Sequence, residues 1–175
     1  MLELLLTADD ATVRTAVLAT VRLAAVLFVI GYAAPSLARA VPKAGSRWLG
    51  ARATYAMCAV PAVQAAHYAA VWWRHSVSGV EDLAVRPASA LLTGGLVWLL
   101  MMVCALAAAR HPVARAVRAE RWSAHLLLVV FTFAYLPRIS EHSFYTIAPA
   151  VAAVALFLRV RFPEPAPLAA GAGAR

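Results

Sequence analysis

Five long apolar segments, separated by short stretches rich in arginine, constrain the fold of this chain more than any other feature. They cover approximately residues 16–38, 51–73, 88–109, 122–139 and 144–160. Each reaches or approaches the ~20 residues that an α-helix needs to cross the ~30 Å hydrocarbon layer of a bilayer. In a chain of 175 residues that is 63% hydrophobic and 14% charged, such segments are not typical of a soluble domain. The sequence therefore predicts an all-α polytopic membrane bundle of about five transmembrane helices.

The basic residues predict how this bundle is oriented. In a soluble protein a net charge of +8 would suggest a nucleic-acid partner, but here the charges lie almost entirely between the apolar segments. One side of the predicted bundle carries eleven of them: Arg39, Lys43, Arg47, Arg52, Arg110, Arg115, Arg118, Arg121, Arg159, Arg161 and Arg175. The other side carries five: Arg14, Arg22, Arg74, Arg86 and Arg138. Because basic loops stay in the cytoplasm, we expect the N-terminus outside, the C-terminus inside, and no nucleic-acid partner.

The domain organisation and the cellular location follow from the same pattern. We expect one transmembrane helix bundle over residues 1–162 and a disordered cytoplasmic tail over residues 163–175, because the tail has almost no bulky side chain to bury. Fifteen of the sixteen basic residues are arginine, which is typical of a GC-rich bacterial genome and predicts a multi-pass protein of the bacterial plasma (inner) membrane. Cys58 and Cys104 both lie in apolar segments, so we expect two buried thiols and no disulfide.

Polar side chains inside the predicted helices are the candidates for function, because a polar group in hydrocarbon is costly. Two sets of them each share one side of a helix. The first set is His125, Thr132, Tyr135 and His142, and the second is Thr54, Cys58, Gln64 and Tyr68, with His67 at its flank. The two helices are predicted to run parallel. The sets indicate either a cofactor slot, with haem b as the candidate, or interhelical hydrogen bonds worth roughly 0.6 kcal/mol each.

The haem interpretation depends on the histidines, because neutral imidazole is a common axial ligand of haem iron. Two axial ligands must lie at nearly one depth. His67 is predicted roughly 22 Å from the cytoplasmic boundary and His125 only roughly 6 Å, so these two are not expected to share an iron. His111 is the candidate partner of His125, and His142 that of His67. The candidate cofactor-binding residues are therefore these four histidines, and no catalytic residue or other metal site is predicted.

Two stretches of the chain resemble the four-helix core of cytochrome-b-like bacterial membrane proteins. They are RWLGARATYAM at residues 47–57 and TGGLVWLLMMVCALAAARHPVARAVRAERWSAHLLLVVFTFAYLPRI at residues 93–139. The resemblance is to the ferric reductase-like transmembrane domain, or to a related uncharacterised bacterial membrane family. It implies a shared helix bundle, haem ligation and electron transfer. Ser46 stands where the family has its first histidine, and His125, next to Trp122, is the residue that carries over.

We therefore expect a cytochrome-b-like membrane electron-transfer protein that binds haem b. The alternative is a haem-free membrane interaction protein or accessory subunit. A transporter is disfavoured, because the predicted spans after the first contain no Asp or Glu. The sequence contains no Ser-His-Asp set and no Walker loop, so it does not decide whether the protein is an enzyme. The expected partners are the lipid bilayer and either another membrane protein or further copies of this chain.

Overall fold

The computed structural model describes residues 10–78, 88–110, 114–135 and 143–163. This part of the chain contains six helices: α1 (Asp10–Ala40), α2 (Ala44–Ala51), α3 (Ala53–Ser78), α4 (Ala88–Ala109), α5 (Ala114–Tyr135) and α6 (Ser143–Arg161). No strand occurs within those four ranges, which confirms the all-α class. The predicted tail beyond Pro163, together with His111 and His142, lies outside the described residues.

Each predicted apolar segment overlaps one of the five long helices, and the short helix α2 is an addition that the sequence pattern did not reveal. α1 ends at Ala40, two residues before Pro42, which cannot continue the hydrogen-bond ladder of the helix. α2 then begins at Ala44, where the backbone N–H of Lys43 donates to the hydroxyl of Ser46 at 3.2 Å. The guanidinium of Arg52, just after α2, lies 4.3 Å from the ring centroid of Trp48.

The five long helices form a ring in the order α1, α3, α4, α5 and α6, which α1 closes by contacting α6. Consecutive long helices run antiparallel. His67, late in α3, contacts Val17, early in α1, and Arg159, late in α6, contacts Glu120, early in α5. α1 and α6 therefore end on the side of the bundle where α2 lies. We call this side the α2 end.

The core lies inside the ring and is built largely from α1, α3, α4 and α5. Its largest fully buried side chains include Phe28, Tyr32 and Met101. α1 and α3 approach each other most closely at Gly31, where a Cβ atom would lie 3.1 Å from the backbone nitrogen of Met57 and 3.2 Å from the carbonyl oxygen of Ala53. A Cβ atom here would be tighter than almost all real contacts of this kind, so glycine favours this close approach of two helix backbones.

Within the described residues, two helices are long and apolar enough to cross a membrane. They are α1 and α6, and α4 adds a shorter apolar stretch, Gly94–Ala109. In the apolar window of α1 only 28% of the residues are buried in the bundle, and in that of α6 only 22%. The other residues of these windows are half-buried or exposed, and large apolar side chains such as Leu23 of α1 and Phe157 of α6 lie at the surface of the bundle.

Candidate functional site

The main polar feature of the interior is an ion pair between Glu120 of α5 and Arg159 of α6. The Nη2 atom of Arg159 lies 2.9 Å from Oε2 and 3.1 Å from Oε1 of Glu120. The side chain of Glu120 is only 7% exposed and that of Arg159 only 5%. Glu120 is buried because it shares a helix face with the buried Ala124 and Leu127, four and seven residues later. Arg159 extends the buried face of α6 in the same way.

Arg159 also connects this pair to α1. Its Nη1 atom donates a hydrogen bond of 2.9 Å to the backbone carbonyl of Tyr32, and its Cζ atom lies 5.1 Å from the centroid of the Tyr32 ring. A second arginine, Arg39 of α1, connects α1 to the end of α6. It donates hydrogen bonds to the hydroxyl of Ser36 at 3.0 Å and to the carbonyl of Phe162 at 2.6 Å. Guanidinium groups thus connect α1 to α5 and α6, which lie far from it in the sequence.

A cavity of about 260 Å³ lies beside the ion pair at the α2 end. Its walls combine the two charged side chains with small residues that include Gly31, Gly50 and Ala53. There is room for water or a small polar solute. Both carboxylate oxygens of Glu120 already accept hydrogen bonds from Arg159, so the carboxylate is neutralised by its partner and is not poised as a general base.

His67 is held by α1. Its Nδ1 atom lies 3.1 Å from the carbonyl oxygen of Val17 and 3.3 Å from the hydroxyl of Thr20. A carbonyl oxygen only accepts, so with its proton on Nδ1 the ring donates a hydrogen bond to Val17. This contact is an interhelical hydrogen bond of the kind that the sequence analysis gave as the alternative to a cofactor slot.

His125 is placed differently. Its Nδ1 atom donates to the carbonyl of Arg121 in its own helix at 2.5 Å, and its ring meets the ring of Tyr32 edge-on, with 5.5 Å between the centroids. The same side chain lines a wide groove between α4 and α5, together with Leu99 and Trp122. Within the described residues the Nε2 atom has no hydrogen-bond partner.

The structure does not bring His67 and His125 together. His67 meets α1 at Val17 and Thr20, whereas His125 meets it at Tyr32, twelve residues beyond Thr20. At ~1.5 Å per residue this is a separation of about 18 Å along α1. The pairings of His125 with His111 and of His67 with His142 remain predictions, because both partners lie outside the described residues.

The other polar residues of the two predicted faces mostly serve neighbouring backbones. Tyr68 donates to the carbonyl of Gly94 in α4 at 2.8 Å, and the thiol of Cys58 lies 3.6 Å from the carbonyl of Ala105. Thr132 donates to the carbonyl of Leu128 in its own helix. The polar face of α3 therefore meets α1 and α4 rather than the polar face of α5.

The described residues offer few ligands for a metal ion or a haem. Among the described residues no group of three or more His, Cys, Asp or Glu side chains is arranged to hold a metal ion. His125 offers one imidazole on a groove, with Nδ1 bonded to a carbonyl as is usual for a ligating histidine. The ranges that the structure describes provide no second imidazole at that depth. A bis-histidine haem site needs two imidazoles at one depth, and these ranges supply only that of His125.

Glu120 and Arg159 are site residues that the sequence pattern did not reveal. The fourth apolar segment is predicted from residue 122, whereas the helix α5 begins at Ala114, so Glu120 lies inside this helix. Arg159 was counted as a loop charge, yet it is buried. A signal was present, since each of the two residues continues the apolar face of its helix at helical spacing.

Comparison with protein-family models, with curated proteins and with solved structures finds no match for this chain.

Proposed function

We propose that the chain is a haem-free, polytopic membrane protein that acts by binding another membrane protein, as an interaction protein or accessory subunit. Support for the bilayer comes from the outward-facing apolar surface. Large apolar side chains are exposed on every long helix that the structure describes, for example Leu23, Leu99 and Phe157. A soluble monomer rarely exposes such continuous apolar surface. In the proposed arrangement all five long helices span the membrane.

The charge distribution supports an orientation with the α2 end in the cytoplasm. Arg159 is neutralised by Glu120, and Arg22 lies within α1, so neither counts as a loop charge. Ten basic residues then remain on one side and four on the other. Nine of the ten lie in the described part of the chain, and all nine are at the α2 end. Trp48 and Trp122, 56% and 76% exposed near this end, fit the aromatic belt of a membrane interface.

The hydrogen bonds of the two described histidines are the observation that supports a haem-free protein. The Nδ1 atom of each lies within hydrogen-bond distance of a helix carbonyl oxygen, that of Val17 for His67 and that of Arg121 for His125. These contacts give both imidazoles a partner without a cofactor. The ion pair likewise serves the fold, and its neutralised carboxylate does not support a transporter that binds cations or protons.

The groove between α4 and α5 is the proposed surface for the partner. It has a volume of about 640 Å³ and is open to the outside of the bundle. Leucine and valine side chains form most of its walls, and His125 places one imidazole among them. A transmembrane helix of a partner would fill such a groove by close packing and would gain one hydrogen bond from the imidazole.

A photo-crosslinking amino acid at Leu99 tests this proposal in cells. Leu99 is 57% exposed in the groove, and Val154, 59% exposed on α6 and outside the groove, is the matched control. We expect a discrete protein adduct from position 99 and none from position 154. A second copy of this chain would add 18.6 kDa, and a different protein would add another mass. Adducts with lipid alone at both positions would contradict the proposal.

The second candidate function is electron transfer through haem b bound at His125. It is favoured by one observation, the bond between Nδ1 and the carbonyl of Arg121, which leaves Nε2 as the ring nitrogen available to an iron. An absorption spectrum of the purified protein, oxidised and reduced, separates the candidates. Haem bands that disappear in His125→Leu would support haem, whereas a wild-type protein purified after haem supplementation without such bands would support the haem-free function.

A further inference from the structure

An apolar cleft opens between α1, α5 and α6, on the opposite side of the core from the α4–α5 groove. Its volume is about 280 Å³, and Phe131, Phe144 and Ala148 form part of its walls. Thr132 is the one polar side chain among its lining residues, and its hydroxyl donates to a carbonyl of its own helix. The cleft thus offers almost no hydrogen bonds and suits a hydrocarbon chain.

Arg22 stands at one end of this cleft. It lies on α1 one helical turn before Ala25 and Val26, which are the first cleft residues of that helix. Its Cζ atom lies 5.4 Å from the ring centroid of Phe144, which is itself a cleft wall. The guanidinium is therefore fixed against the mouth of the cleft rather than extended away from it.

The charge of Arg22 has no counterpart in the described part of the chain. Its Nε atom is buried and has no hydrogen-bond partner there. The ion pair between Glu120 and Arg159 lies towards the opposite end of α1, beside Tyr32. A cation within a membrane helix is costly unless an anion compensates it. Within the described ranges no anion compensates Arg22, and an anionic head group at this position would do so.

We propose that this cleft binds one anionic phospholipid, with its phosphate at Arg22 and one acyl chain between α1, α5 and α6. A guanidinium binds phosphate oxygens through paired N–H groups, so the head group supplies the missing charge. On α6 the cleft runs from Phe144 to Ala152, roughly 12 Å, which is close to the ~15 Å thickness of one hydrocarbon leaflet. This inference rests on the proposed placement of the bundle in a bilayer.

Native mass spectrometry of the full-length protein in detergent tests the site, with phosphatidylglycerol and phosphatidylcholine of identical acyl chains as probes. We expect one phosphatidylglycerol to bind about fivefold more tightly than phosphatidylcholine, the factor that corresponds to ~1 kcal/mol for one basic group near an anionic head group. Arg22→Gln should abolish this preference. Arg14→Gln, at an exposed position of the same helix, should leave it unchanged.

The apolar part of the site has its own test. Ala148→Phe fills the cleft and should weaken the binding of both lipids. Ala150→Phe, at an exposed position of α6 outside the cleft, should leave the binding of both lipids unchanged. Circular dichroism checks that each variant is folded. If Arg22→Gln does not fold, the binding of lipid by Ala148→Phe tests the site in its place. Equal binding of the two lipids by the wild type, or full binding by folded Ala148→Phe, would overturn the lipid site alone. Absence of the wild type from the membrane fraction would overturn both proposals.

Discussion

Arg159 and Glu120 lie 39 positions apart in the chain, and one guanidinium nitrogen of the former lies 2.9 and 3.1 Å from the two carboxylate oxygens of the latter. The same guanidinium donates to the carbonyl of Tyr32 at 2.9 Å. One side chain therefore fixes the level of α6 against both α5 and α1. Because the contacts are buried and directional, a shift of any of these helices along its axis would break them.

Removing one partner of this pair should destabilise the bundle more than removing both. Glu120→Leu leaves a buried guanidinium without its anion, which costs roughly 3 kcal/mol. Arg159→Met likewise leaves the buried carboxylate without its cation, at a similar cost. The double variant replaces the pair by apolar side chains, and we expect it to lose less than the sum of the single losses. Denaturant unfolding in detergent, analysed as a double-mutant cycle, measures the coupling.

Arg161→Met is the matched control for this cycle. Arg161 is exposed in the same last turn of α6, so its replacement should change the free energy of unfolding by no more than about 0.5 kcal/mol. Losses that simply add in the double variant would show that the pair does not couple α5 to α6.

Most of the fold was predictable from sequence, because burial in a helix follows local periodicity. The segment predicted at 88–109 coincides with α4, and that predicted at 144–160 lies within one residue of both ends of α6. The pairing of Glu120 with Arg159 was not predictable in this way. It requires α5 and α6 to be neighbours and the two residues to lie at one level, and both conditions are set by tertiary packing. Arginines around Glu120 made it look like a loop residue.

Close packing at Gly31 gives a second prediction. Gly31→Ala places a methyl group 3.1 Å from the backbone nitrogen of Met57, where the neighbour is a helix backbone that cannot turn aside. We expect a loss of about 1 to 2 kcal/mol in the free energy of unfolding, since overpacking outweighs the better helix propensity of alanine. Gly95→Ala, where a Cβ atom meets nothing within 4 Å, should be neutral or stabilising. Equal effects of both changes would mean that α1 and α3 are further apart.

The interhelical hydrogen bonds of α3 should each contribute modestly. Tyr68→Phe removes the bond to the carbonyl of Gly94, and His67→Leu removes the bond to that of Val17. We expect each change to lower the free energy of unfolding by about 0.6 to 1 kcal/mol, without altering the visible absorption spectrum. A chromophore lost in His67→Leu would instead make that imidazole a cofactor ligand.

The two cysteines should differ in reactivity. Both are free thiols, but Cys104 is 0% exposed while Cys58 is half-buried beside Ala105. In detergent we expect a maleimide to label Cys58 first and Cys104 only when the protein unfolds. A membrane-impermeant maleimide should label neither in intact membranes. Rapid labelling of Cys104 in the folded protein would contradict the position of α4 in the bundle.

The separation of His67 from His125 was predictable from sequence, but their hydrogen-bond partners were not. The depths predicted for His67 and His125 already separated them, and their contacts on α1 agree with that separation. The hydrogen-bond partners of these rings were not predictable, because they depend on which helix lies beside which. The short helix α2 also escaped notice, since eight residues of mixed polarity carry too little periodicity to stand out.

Topology in the membrane tests the central claim, a bundle of five spans, most directly. Two reporters, one active only in the cytoplasm and one only outside it, are fused after Lys43, after Glu81 and after Arg115 in otherwise identical chains. We expect cytoplasmic activity at Lys43 and Arg115 and external activity at Glu81, because the basic residues concentrate at the α2 end. Activity of all three fusions on one side of the membrane, or the reverse pattern, would contradict the proposed arrangement.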